Sequence, residues 1–232
     1  MNPHTIPSLV SWLASIFTIL YIIIKRFGDR VSRVFIWLLI LCFIWSFSIY
    51  MMRISTTPDD CFFWAKIRYI PLLLLPGVLV YLISIFPIKK TIRRISITIS
   101  LLLFVLVVFM PTTLILLLTN HIVKGVEMGP WRYHAVVGDC YFIFMFYFLV
   151  LMMYVIVDLI HDYISIDNVM DKRQVFWLIV ASISLLFIES LEATFKIINL
   201  YIIPLNDILL LPMIVSICYL AIKYRKPDVI QI

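Results

Sequence analysis

Seven long apolar stretches run through this chain of 232 residues, and lysine and arginine gather on alternate sides of them. A helix that crosses hydrocarbon needs roughly 20 mostly apolar residues. Measured between charge clusters, the spans fall at about 6–24, 34–52, 62–86, 95–118, 141–160, 175–195 and 204–222. Hydrophobic residues make up 64% of the chain and charged residues 14%, whereas an ordinary soluble domain is about 45–50% apolar and about 25% charged. The expected fold class is therefore all-α: a polytopic membrane protein, one bundle of seven transmembrane helices, with residues 1–232 as a single domain in the lipid bilayer.

Charge gives the expected orientation. Cytoplasmic loops usually carry the excess of Lys and Arg. Lys25, Arg26, Arg30 and Arg33 follow the first span, and Lys89, Lys90, Arg93 and Arg94 follow the third. Lys172 and Arg173 follow the fifth, and Lys223, Arg225 and Lys226 follow the last. The other basic residues, Arg53, Lys66, Arg68, Lys124, Arg132 and Lys196, are left for the opposite side. The N-terminus is thus expected outside and the C-terminus inside the cell membrane. The sixth span is the weakest, because Glu189 and Glu192 interrupt it. Removing that crossing would put the basic tail outside, against the bias.

Several function classes are disfavoured. The net charge of +6 fits the sided loops and anionic inner-leaflet lipids, and no basic stripe with interleaved aromatics points to nucleic acid. The N-terminus lacks a cationic n-region and a small-residue cleavage site, so the first span reads as an uncleaved anchor. His4, His121, His134 and His161 fall in expected loops or termini, so no span offers a His pair for haem or a metal. Five glycines in total provide no phosphate loop, and the last span has no lysine for a retinal Schiff base. No cofactor and no catalytic constellation are expected.

Ionisable side chains within a span are costly and hence candidates for function. In the third span, Trp64-Ala65-Lys66-Ile67-Arg68-Tyr69 puts two cations near the outer boundary, with Trp64 and Arg68 on one helical face. In the sixth, Glu189 and Glu192 are three apart and Lys196 follows four later. A charge cluster joining the two helices is geometrically possible. Alternatively, Lys66 and Arg68 snorkel to the headgroups and Glu192 pairs with Lys196 in solvent. Glu189 is deeper, and an unpaired carboxylate facing lipid is costly, which favours a place inside the bundle.

Trp12, Trp37, Trp64 and Trp177 lie near span ends, where an interfacial belt accounts for them. Trp45, about 16 Å beyond Val34 at 1.5 Å per residue, packs inside the bundle or faces lipid at mid-depth. Tyr50, Tyr69, Tyr81, Tyr141 and Tyr147 are either cavity phenols or plain packing. Pro71, Pro76, Pro111 and Pro212 each remove a helical hydrogen bond and favour kinks. Cys42 and Cys218 read as small core hydrophobes. Cys61 and Cys140 sit at outer helix ends, where an oxidising exterior permits a disulfide; two unpaired cysteines are the alternative.

The run Trp64-Ala65-Lys66-Ile67-Arg68-Tyr69-Ile70, followed by prolines, resembles the third helix of the N-terminal seven-transmembrane sensor region of bacterial histidine kinases, a region that also precedes diguanylate cyclases. The segment from Thr119-Asn120-His121 through Val123-Lys124-Gly125-Val126 and Pro130-Trp131-Arg132-Tyr133 to Gly138-Asp139-Cys140-Tyr141 is similar to that family's long outer loop. Ile202-Ile203-Pro204-Leu205-Asn206 and Ala221-Ile222-Lys223-Tyr224-Arg225 are similar to its last helix and exit. The resemblance covers essentially the whole chain. It implies an input module that binds a signal and passes it to a cytoplasmic output domain. Family members usually continue past the exit, whereas here Lys226-Pro227-Asp228 follows and the chain stops at Ile232. Autophosphorylation is therefore not carried over, and a stand-alone sensor, a fragment and a degenerate copy all stay open.

The leading expectation is a signal-sensing receptor of two-component type. It would bind a small-molecule, peptide or lipid signal from outside and act through a cytoplasmic kinase or other partner, with a homodimer left open. Its ligand-binding candidates are Arg68, Tyr69, Glu189 and Glu192, with Trp131 and Tyr133 as contacts from the outer loop. The alternative is a small transporter, which predicts a midplane site and internal repeats; no convincing repeat is present. A eukaryotic-type receptor is disfavoured because Phe86-Pro87-Ile88-Lys89 and Leu210-Leu211-Pro212-Met213 stand where its inner motifs would fall.

Overall fold

The computed structural model describes residues 5–26, 30–85, 100, 103, 105–129, 132–167, 169–197, 213–220 and 222. Among the described residues, five helices are long and apolar enough to cross a membrane: α1 (Ile6–Arg26), α2 (Arg30–Ile54), α3 (Pro58–Ile85), α5 (Tyr141–Ser165) and α6 (Val169–Ile197). A shorter apolar helix, α4 (Met110–Leu118), and a helix over residues 213–220, α7, represent the other two expected spans, most of whose remaining length lies outside the described residues. The described helices run a few residues past the expected spans. His161, expected in a loop, lies within α5.

Local chemistry sets the ends. Thr57 caps α3: the Asp60 N–H donates to its hydroxyl over 3.2 Å, and that hydroxyl donates to the Asp60 carboxylate over 2.6 Å. With Pro58 as the first helical residue and Asp59 and Asp60 in the first turn, the cap, the proline and the helix dipole favour the same start. This cap begins α3 four residues before the apolar run and leaves only a short turn after α2.

α3 continues through Pro71 and Pro76. Next to Pro76, Gly77 allows close approach of the segment that leads into α4, since an added Cβ would stand 3.2 Å from Val105 Cγ1. Val105–Phe109 forms a π-helical turn leading into α4, with Pro111 at the start of that helix. A proline cannot donate to the carbonyl four residues back, and a wider turn is one way for the chain to absorb the loss.

One segment departs from the all-helical expectation. The loop between the fourth and fifth expected spans folds as an antiparallel hairpin of β1 (Val123–Gly129) and β2 (Arg132–Val137), in register from Gly129 opposite Arg132 to Val123 opposite Val137, with a bulge between Val123 and Gly125. Its entry is a helix C-cap: Asn120 adopts φ 65°, its N–H donates to Leu117 O over 3.4 Å, and the His121 N–H donates to Leu116 O over 2.9 Å. That pattern closes the orphan carbonyls at the end of α4. Its exit locks onto the entry, with the Gly138 N–H on Ile122 O and the Cys140 N–H on His121 O, both 2.9 Å. The hairpin packs on α3 and α2, and Ile122, Val123 and Ala135 are buried beneath it.

The helices form a ring. α1 packs on α2, α2 on α3, α3 on α5, and α5 on α6. Trp177 of α6 meets Tyr219 of α7 with ring centroids 5.0 Å apart. The Thr18 hydroxyl of α1 donates to Cys218 Sγ of α7 over 3.2 Å. α4 packs against α3, and Phe109 in the turn before it stacks on Tyr147 of α5.

The two ends of the hairpin meet where a Cβ at Gly138 would fall onto the His121 carbonyl, whereas a Cβ at Gly125 would touch nothing. Gly138→Ala is expected to lower the melting temperature in detergent by several degrees, and Gly125→Ala to leave it within about a degree, given about 4–8 °C per kcal/mol for small domains and less for larger ones. Equal melting temperatures for both variants would show that the hairpin does not depend on this junction.

Candidate functional site

Arg68 of α3 and Glu189 of α6 form an ion pair across the bundle, Nη2 to Oε1 3.9 Å, with only 8% and 2% of their side chains exposed. Arg68 lies ten residues into α3, about 15 Å from its capped end, and Glu189 lies eight residues from the end of α6, about 12 Å, at 1.5 Å per residue. The two helices run antiparallel, so the charges meet at matching depth near the hairpin end. Neither charged group is open to the surface of the bundle here. The charge link between the third and sixth spans that the sequence allows is present, and the burial of Arg68 does not fit snorkelling.

Aromatic rings pack beside the pair. The Arg68 guanidinium carbon stands 6.0 Å from the centroid of the Tyr69 ring. Tyr69 meets Tyr141 and Phe144 of α5 edge to face, at 6.3 and 5.7 Å. All three rings are buried. Since Tyr141 begins α5 just after the hairpin, the sheet and the charge pair are joined through this aromatic layer. Tyr147, one further turn into α5, has a buried hydroxyl with no hydrogen-bond partner among the described residues.

The remaining expected site residues divide. Tyr133 lies in β2, half-buried and packed against the core, so the loop contributes it from a sheet rather than from an open lid. Trp131 and the side chain of Glu192 lie outside the described residues. Lys66 is apart from the pair, with Nζ 4.5 Å from the centroid of Phe62. Cys61 and Cys140 are free thiols, which is the alternative of two unpaired cysteines rather than a disulfide between them. Cys61 is wholly buried in the core as the fourth residue of α3, while Cys140 caps α5 at the partly exposed hairpin junction, so each sulfur is accommodated by packing without a partner.

Two tryptophans assigned to an interfacial belt pack between helices. Trp12 of α1 meets Phe43 and Phe47 of α2 at 6.2 and 6.0 Å, and Phe47 meets Trp64 of α3 at 5.5 Å. Trp45 is fully buried, which settles its mid-depth ambiguity, and its indole N–H has no hydrogen-bond partner among the described residues.

Sequence reasoning passed over Asp158 and Asp162. Both are buried, four residues apart on one face of α5, near the end away from the hairpin. The signal was available: Asp158 falls inside the expected span 141–160, where an acidic residue warrants the same scrutiny as Glu189.

The sequence matches the family described as the N-terminal 7TM region of histidine kinase over residues 7–230. No curated protein matches the chain.

Removing one member of a buried ion pair leaves the other uncompensated, typically at about 3–5 kcal/mol, whereas replacing both with apolar residues is often neutral. Arg68→Met and Glu189→Leu should each lower stability in detergent strongly, and the double variant should recover most of the loss. A double-mutant cycle of melting curves checks this; additive losses would show that the two side chains act independently.

Proposed function

The chain belongs to the family of N-terminal seven-transmembrane regions of histidine kinases, and from that premise we propose that it is a multi-pass membrane sensing module whose ligand enters from the hairpin end and acts on the Arg68–Glu189 pair. By the distribution of Lys and Arg, the hairpin and the N-terminus face outward and the C-terminus lies inside. Arg68, Tyr69 and Glu189 carry recognition, with Tyr133 contributed from the sheet above and Glu192 and Trp131 as further contacts. A cytoplasmic signalling partner of kinase type reads the inner ends of α6 and α7.

The observation that supports this reading most is the position of α6. One helix carries Glu189 near the hairpin end and Trp177 near the other, twelve residues or about 18 Å apart. Trp177 packs on Tyr219 of α7, and the Arg173 guanidinium carbon lies 5.8 Å from the same ring. A ligand that changes the distance between α3 and α6 therefore also moves the contact between α6 and α7. It does so only if it binds the two packings with different affinity.

Two measurements test the proposal. Met128 in β1 is 73% exposed, so a Met128→Cys protein in a Cys140→Ala background should react in intact cells with a membrane-impermeant maleimide. Lack of labelling until the cells are opened would reverse the orientation. Thermal stability in detergent, scanned across small metabolites, peptides and lipids, should show stabilisation that grows with concentration over the dissociation constant. The shift should vanish in both Arg68→Ala and Glu189→Ala; a hit that survives both substitutions places the ligand elsewhere.

A further inference from the structure

The start of α6 holds two tyrosine rings, one from each neighbouring helix. On one side Lys172 Nζ stands 4.9 Å from the ring centroid of Tyr163 in α5, and Phe176 meets the same ring at 6.4 Å. On the other side Arg173 and Trp177 both contact the ring of Tyr219 in α7. Each clamp pairs a cation with an aromatic residue four positions on, about one helical turn. Ring faces attract cations, and they hold these two at the surface of the bundle, with Arg173 exposed and Lys172 half-buried. Among the described residues no carboxylate forms an ion pair with either cation; Asp171 shares their turn, and Asp158 and Asp162 of α5 are buried. Two adjacent positive charges are thus presented together without a neutralising side chain.

Beyond Arg173 the same face of α6 is apolar and open. Phe176, Ile183 and Phe187 are exposed, and Val180 is half-buried between them. Counted from Arg173 these positions are three, seven, ten and fourteen residues along, which is one helical face. From Phe176 to Phe187 the rise is about 16 Å at 1.5 Å per residue. That is close to half of the roughly 30 Å hydrocarbon core, the depth of one leaflet. Contact with bulk lipid accounts for the apolar stripe, but not for an unneutralised cation pair held on rings at its end.

We propose that this end of α6 binds one anionic glycerophospholipid, with its phosphate on Lys172 and Arg173 and an acyl chain along Phe176, Val180, Ile183 and Phe187. Charge complementarity selects the headgroup, and the length of the stripe suits a chain of one leaflet. By the orientation proposed above, that leaflet is the cytoplasmic one, where anionic lipids attract basic segments. The site itself depends neither on the orientation nor on the reading of Arg68 and Glu189. Because Arg173 lies against Tyr219, the lipid touches a side chain that joins α6 to α7.

The test compares two lipids with identical chains on the purified protein in detergent: dioleoyl phosphatidylglycerol, which is net negative, and dioleoyl phosphatidylcholine, which is net neutral. Phosphatidylglycerol should give the same rise in melting temperature at about a thirtyfold lower concentration, on a scale of about fivefold for each cation near an anionic lipid. Lys172→Gln/Arg173→Gln should bring the two lipids level. Arg173→Gln alone should lose about fivefold of the preference, which keeps the test open where the double variant does not fold. Arg30→Gln/Arg33→Gln removes the same charge from the exposed start of α2 and should keep the preference.

Equal shifts from both lipids in the unmodified protein would overturn the proposal. An equal loss of preference in the α2 variant would overturn it too, by showing a diffuse effect of surface charge. Stabilisation by glycerol phosphate at the same concentration as phosphatidylglycerol would replace the lipid with a soluble anion.

Discussion

Inside hydrocarbon every backbone N–H and C=O must find a partner within the protein, and this one constraint shapes the molecule. Three serine hydroxyls of α1 and α2 follow it: Ser15 donates to Ser11 O over 3.0 Å, Ser46 to Cys42 O over 2.7 Å, and Ser48 to Ile44 O over 2.6 Å, each back onto its own helix. Polar side chains are therefore tolerated at buried positions of α1 and α2, where small residues let helices approach closely. Among the described residues the sheet forms only past the ends of the helices, where its edges can meet water. The π-helical turn before Pro111 is the exception within an apolar segment, and it stands at the residue type that breaks the helical ladder.

Once backbones are satisfied, specificity of packing falls to side chains. Apolar packing alone gives little preference between one neighbour and another in lipid, because lipid tails are as apolar as leucine. The contacts that identify neighbours here are of other kinds. An edge-to-face aromatic ladder from Trp12 through Phe47 to Trp64 joins α1, α2 and α3. Trp177 on Tyr219 and Thr18 on Cys218 bring α7 back to α6 and α1. Arg68 on Glu189 then crosses the ring, so α3 and α6, which are not consecutive in the chain, are coupled directly.

The helices were legible because length and charge spacing register directly in a one-dimensional sequence, and Glu189 was legible because a carboxylate in an apolar run has few inexpensive places to go. The hairpin was not. Val123–Gly129 and Arg132–Val137 are short and mixed in polarity, and their pairing depends on Asn120 in the left-handed region and Gly138 against His121, a tertiary relation between residues far apart in the sequence. Trp12 and Trp64 show a related limit. Their depth matched an interfacial belt, but depth does not tell which side of a helix faces lipid, and Phe43 and Phe47 on the next helix decided it. Cys61 and Cys140 illustrate the converse: both are at the same end of the bundle, but a disulfide requires a particular Cα separation and direction that sequence does not carry.

A cross-bundle ion pair is a poor device for stability alone, since two well-packed apolar side chains would hold the same helices as well. Apolar contacts between α3 and α6 are short in range, and a gap of about 0.5–1 Å already forfeits a quarter to a half of their attraction. Opposite charges attract over longer distances, falling only as the inverse of their separation, and most strongly where the dielectric is low. The pair therefore specifies which helix α3 meets and at what depth, while the surrounding side chains supply the close packing. At the other end of α6, about 18 Å away, Trp177 sets that same helix against α7.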